Sequence, residues 1–133
     1  MEAISDLDTL LSGMRPVLNP GRFAFVSLPA GAGFDPADAI ATMREPEGLS
    51  VVLPEQAALE RGWTVAFSAA WITLTVHSDL AAVGLTAAFS GALAAAGISC
   101  NVVAGTYHDH LFVPFEQAGL AMDVLDALQR SAT

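Results

Sequence analysis

The sequence predicts an α+β fold built on antiparallel sheet, and three observations in residues 71–115 carry the prediction. Ile72, Leu74 and Val76 alternate with Thr73, Thr75 and His77, and Ile98, Cys100 and Val102 alternate with Ser99, Asn101 and Val103. That period of two marks strands with one buried face. Between them, residues 80–96 are dominated by alanine, the strongest helix former, and Gly97 stops the run. Finally, residues 104–107 turn the chain around Gly105 and residues 108–113 bring it back. The unit reads as strand, helix, strand, turn, strand, with its first and third strands antiparallel neighbours.

Upstream, Leu7, Leu10, Leu11 and Met14 fall on one helical face, Ser5 or Asp6 can cap it, and the helix ends near Gly13. Pro16, Pro20 and Gly21 read as chain breakers, so the first strand is expected over residues 22–28. PAGAGFDPA after it is a turn-rich loop that lacks the lysine and hydroxyl of a phosphate-binding loop. Residues 37–44 are ambiguous: Asp35-Pro36 suits a helix start, while Glu45-Pro46-Glu47-Gly48 suits a hairpin turn into the apolar strand 49–53. Pro54 opens a short helix that Gly62 closes, and residues 63–67 form a further strand. At the other end, residues 116–130 place Leu120, Val124, Leu125 and Leu128 on one helical face.

Composition narrows the function classes. The chain has 133 residues, enough for one domain or two small modules sharing a core. Its net charge of −9, with five Arg and no Lys, disfavours nucleic acid and anionic lipid. A surface so poor in charge, at 14% charged and 53% hydrophobic residues, suggests self-association, and a homodimer is expected. The lone Cys100 fits a reducing cytoplasm and a small core hydrophobe. Residues 80–107 carry no charge, but 80–98 include eight Ala and three Gly and lack flanking Lys or Arg. They read as a protein-buried helix, with no membrane span.

The order of elements around residues 71–113, with Gly84 in the first helical turn and AAAGISCNVVAG running from helix to strand, resembles the ACT domain, a βαββαβ metabolite-binding module. It is most similar to small bacterial proteins with two ACT-like modules, of which HSDLAAVGLTAA and AGISCNVVAGTYHDHLFVP are characteristic. The resemblance implies a ferredoxin-like ACT fold, two modules in tandem, related to the regulatory region of aspartate kinases and without enzymatic activity. It resolves residues 37–44 as a strand. The expected modules are residues 1–69, a helix then β-β-β-α-β with a loop replacing the first ACT helix, and residues 70–133, β-α-β-β-α. The second module lacks the last ACT strand, so its sheet edge must be covered by the first module or by another subunit.

Placing Ile72, Leu74, Val76, Ile98, Cys100, Val102, Leu111 and Val113 towards the helices leaves Thr73, Thr75, His77, Ser99, Asn101, His108 and His110 on the opposite face. Free amides at the helix start suit a carboxylate, and Asp79, Asp109 or Asn101 suits an ammonium group. By the resemblance, the ligand site for an amino acid or similar metabolite comprises Ser78, Asp79, Val83, Gly84, Leu85 and Asn101. The bland alternative is that Ser78 and Asp79 merely cap the helix, Gly84 merely permits close packing, and the protein is a structural or interaction module. A further alternative groups His77, His108 and His110 as a zinc site. His77, Ser78 and Asp79 do not form a hydrolytic relay, because consecutive residues project in different directions. No cofactor is called for.

Overall fold

The computed structural model describes residues 6–132. Ser5, one of the two expected caps, lies outside them. Helix α1 (Leu7–Gly13) is capped by Asp6, whose carboxylate accepts from Thr9 N at 3.0 Å. The strands are β1 (Pro16–Leu28), β2 (Ala41–Glu45), β3 (Gly48–Pro54), β4 (Phe67–Leu74), β5 (Asn101–Ala104) and β6 (Asp109–Pro114). Helices α2 (Glu55–Glu60), α3 (Leu85–Ala95) and α4 (Ala118–Ser131) complete the chain, with short 3-10 turns at Pro36–Asp38 and Phe115–Gln117.

All six strands form one antiparallel sheet in the order β2-β3-β1-β4-β6-β5. Each half of it is ferredoxin-like: β4-β1-β3-β2 on one side and β1-β4-β6-β5 on the other, sharing the central pair. The strand missing after α4 is thus replaced by the N-terminal part of β1, where residues 16–19 pair with residues 71–74. The expected seam after residue 69 falls inside β4, which closes one half and opens the other.

Several element boundaries differ from the sequence expectation, each for a local reason. Pro16 and Pro20 do not break the chain; β1 starts at Pro16, and a bulge between Asn19 and Phe23 absorbs Pro20-Gly21, with Gly21 at φ +110°. The strands expected at 63–67 and from residue 72 are one strand, β4, because residues 63–66 are still connection. Pro54 caps α2 rather than opening it. Helix α3 begins at Leu85, after Gly84 at φ +106°, instead of at residue 80. In α4 the buried residues are Ala121 and Leu125, whereas Leu120 is 48% exposed.

The sheet has one covered and one open face. Ala70, Ile72, Leu74, Leu111 and Val113 pack with Leu10 and Met14 of α1, Phe89 and Leu93 of α3, and Leu125 of α4. Ala24, Val26, Leu53 and Ala58 extend this layer under α2; Ala24 pairs with Ser68 and therefore points to the same side as Ala70. Phe23, Val52, Ala69 and Phe112, with Phe25, Phe67 and Trp71, cluster on the other face, where among the described residues no helical residue packs with them.

Candidate functional site

The site expected from the sequence begins where β4 ends. Thr75 leaves the sheet, with its amide and hydroxyl both donating to Arg15 O. Asp79 does not cap α3. Its Oδ1 accepts from Ala81 N at 2.9 Å and its carbonyl from Ala82 N at 2.9 Å, which makes a local turn five residues ahead of the helix. Ser78 Oγ donates to Asp79 O at 3.3 Å.

Gly84 sets where the helix starts. Its positive φ favours glycine, and a Cβ there would lie 3.0 Å from Leu7 Cδ2, so it also allows α1 to approach. No side chain caps α3, and Ala88 N donates to Gly84 O at 2.9 Å to close its first turn. The amides of its first turn are thus left to solvent or ligand.

The 78–86 segment faces the β5–β6 turn across a cavity of about 90 Å³. Ser78, Asp79, Leu85 and Thr86 line one side, and Gly105, His108 and Asp109 the other. The expected residues therefore separate into two groups. Ser78, Asp79 and Leu85 are brought together. Val83 is 85% exposed and does not line the cavity, and Asn101 sits at the far end of β5, paired in register with Phe112. Gly84 shapes the turn without lining the cavity.

Thr86, Gly105, His108 and Asp109 were not among the residues expected by resemblance. Gly105, which marks the hairpin turn, was the sequence signal that could have drawn in its neighbours. Burial pushes the Asp109 carboxyl above its ordinary value, opposed by His110 and His108. Asp79 and Asp109 are the carboxylates of this cavity, and neither Lys nor Arg lines it.

The three histidines do not converge. His77 packs at a tilt against Tyr107 with ring centroids 5.1 Å apart, and its Nδ1 is buried without a hydrogen-bond partner. His108 Nδ1 lies 3.4 Å from Val76 O. His110 Nδ1 faces Trp71 Nε1 and Thr73 Oγ1, each at 3.1 Å. Among the described residues no group of three or more His, Cys, Asp or Glu is placed to hold a metal ion, which corrects the zinc alternative. Among them, too, no helix is long and apolar enough to cross a membrane. Trp63 packs against Phe34 and under Arg61 at the edge of the sheet's N-terminal half, so only Trp71 stands at the shared strands.

Residues 2–70 match a family model described as ACT domain, and residues 67–127 match a second model of the same description. The overlap falls in the shared strand β4. No curated protein is significantly similar in sequence. Among solved structures, a Vibrio cholerae protein of unknown function, described as a possible transport protein, is 46% identical. The match covers 92% of this chain and 95% of that one, with a TM-score of 0.83. An Agrobacterium tumefaciens protein is 17% identical, covering 87% of this chain and 89% of that one at a TM-score of 0.68. The regulatory subunit of aspartate kinase from Thermus thermophilus is 10% identical, covering 85% and 95% at a TM-score of 0.63. The last two show likeness of fold alone.

Proposed function

The chain belongs to the ACT-domain family, whose modules are in general regulatory and bind amino acids, and on that premise we propose that it is a non-enzymatic sensor of a free amino acid or related metabolite. The proposed site is the cavity between the 78–86 segment and the β5–β6 turn, with residues 1–69 and 70–133 as the two modules.

The observation that carries this reading is the pairing of opposite chemistries across one small cavity. Asp79 and Asp109 offer carboxylates to an ammonium group, while the first turn of α3 offers backbone amides without a side-chain acceptor to a carboxylate. Those are the two ends of an α-amino acid.

At about 90 Å³ the cavity admits those charged ends and little else, so the ligand's side chain must lie outside it. Leu80, Val83 and Tyr107 of the 78–86 segment and the β5–β6 turn are 66%, 85% and 63% exposed. An apolar rim of this kind is suited to closure by a second copy, so the working unit in this reading is a homodimer. Cys100 is unpaired, and the setting proposed is the cytoplasm.

Thermal unfolding against the twenty amino acids is the test. A ligand at a hundred times its dissociation constant should stabilise the protein by about 2.7 kcal/mol. Asp79→Ala and Asp109→Asn should each remove the shift, while Asn101→Ala at the far end of β5 should leave it. Absence of any shift would reject the sensor in favour of an interaction module.

A further inference from the structure

The open face of the sheet is not flat. β2 and β5 are the outermost strands, with β3, β1, β4 and β6 between them, yet both edges line the same cavity of about 280 Å³. Residues 39–41 reach it from one side and Val103 from the other, with Trp71, His110 and Phe112 beneath. The twist of the sheet has curled its helix-free face into a cup.

The floor of the cup is a built polar network. Trp71 Nε1 lies 3.1 Å from His110 Nδ1, and an indole nitrogen can only donate, so Nδ1 must accept. Thr73 Oγ1 stands 3.1 Å from the same nitrogen and receives Asn19 Nδ2 at 2.9 Å, while Asn19 Nδ2 also donates to Trp71 O at 3.2 Å. Two consequences follow from the chemistry of these groups. The Trp71 donor is already used, and the neutral His110 ring carries its proton on Nε2, which has no partner among the described residues. Of the described side chains that line the cup, His110 alone keeps an unpartnered donor, its Nε2 on the side of Gly105; the others are apolar or, like Trp71, already engaged.

From this geometry we infer that the cup is a second ligand site, separate from the loop cavity, for a small neutral ring compound carrying one hydrogen-bond acceptor. An ammonium group would meet a donor there. A carboxylate would meet no cationic side chain, in a chain whose net charge is −9. The size is appropriate: an apolar cavity of about 150 Å³ takes up benzene, so this one admits a substituted ring. The inference does not rest on amino-acid binding at the loop, and neither reading fails with the other.

Acetophenone, a ring with one carbonyl acceptor, and ethylbenzene, its counterpart without one, are the probes, followed by ¹H–¹⁵N spectra of the full chain. Saturable shifts are expected at the Trp71 indole and at the amides of residues 39–41 and Val103, with the Trp63 indole unmoved. Acetophenone should bind about fivefold tighter, the worth of one net hydrogen bond. His110→Phe should abolish that preference while leaving ethylbenzene bound, and Ala41→Leu, at an edge-strand position that packs on the open-face cluster, should exclude both probes. Non-saturating shifts, equal affinity of the two probes for the native protein, or retention of both by Ala41→Leu would overturn the inference. So would slowed translational diffusion with broadening at the same resonances, which would show a second copy filling the cup.

Discussion

The two halves of the sheet have the same strand order and are covered very differently. Over β4, β5 and β6 lie α1, α3 and α4, with Phe89, Leu93, Leu10, Met14 and Leu125 buried together. Over β2, β3 and the C-terminal part of β1 lie, among the described residues, the short α2 and the 29–40 connection, with a smaller cluster around Val26, Leu53 and Ala58. The difference teaches that the second half is not a contiguous piece of chain. Helix α1 and residues 16–19, which precede the first half in sequence, complete the second half in space.

The strongest test of that interdependence is in the larger core. Phe89→Ala should cost about 3–5 kcal/mol and Leu53→Ala about 2–3 kcal/mol, from lost burial plus the cavity left behind. Because β1 and β4 serve both halves, each variant should still melt in one transition, read by near-UV circular dichroism and by Trp63 fluorescence. A Phe89→Ala protein in which the Trp63 region melts separately would break the shared-strand account.

A second contrast sets two glycines of the N-terminal half against each other. Gly48, at φ +144° in the β2–β3 turn, backs onto the Leu28 carbonyl so closely that a Cβ would overlap it. Gly62, at φ +71° after α2, has nothing within 4 Å. Gly48→Ala should cost about 3 kcal/mol, because backbone must move as well as strain. Gly62→Ala should cost only the strain, about 1 kcal/mol. Denaturant midpoints for the pair measure the difference; equal costs would mean that the turn at Gly48 yields freely.

These contrasts mark what the sequence could and could not disclose. Alternation at residues 72–74 assigned the faces of β4 correctly, although the strand expected to reach His77 ends at Leu74; the Glu45–Gly48 turn offered the β2–β3 hairpin against a rival helix start at Asp35-Pro36, and the family resemblance decided between them. The start of α3 left no residue-level trace. Ala81 and Ala82 have the same helix propensity as Ala87 and Ala88, and only the tertiary approach of Leu7 to Gly84 separates turn from helix. Pro16 and Pro20 misled for a related reason: one opens the strand and the other sits in its bulge, places where a missing N–H costs little. Asp79 and Asp109 were both visible as possible ammonium partners, and antiparallel pairing of the first and third strands of the unit already brings the 78–79 segment and the 105–110 turn to one end of the sheet, where they share a cavity. The Trp71–His110 contact joins residues 39 positions apart and had no local signature.

The smallest expected effect separates the two faces of the sheet instead of its halves. Among the described residues no buried polar side chain occurs in the helix-covered core, so titration should leave that face untouched. On the open face, desolvation first and His108 second hold the His110 imidazole below its ordinary value of 6.5, with Asp109 opposing them. The unfolded chain thus takes up this proton more readily than the folded one, so the stabilisation is complete above about pH 6.5 and is lost as pH falls through the folded value. Protonation of Nδ1 would also set an N–H against the Trp71 N–H. Asp109, raised by burial, acts in the opposite sense and at more acid pH, above its ordinary 3.8. Between pH 7.5 and 5.5 the native protein should therefore lose more stability than His110→Asn, which keeps a side-chain acceptor but does not titrate, and the loss should be smaller than either core substitution produces. Urea unfolding of both proteins across that range supplies the comparison; identical slopes would mean that the network does not hold His110 neutral.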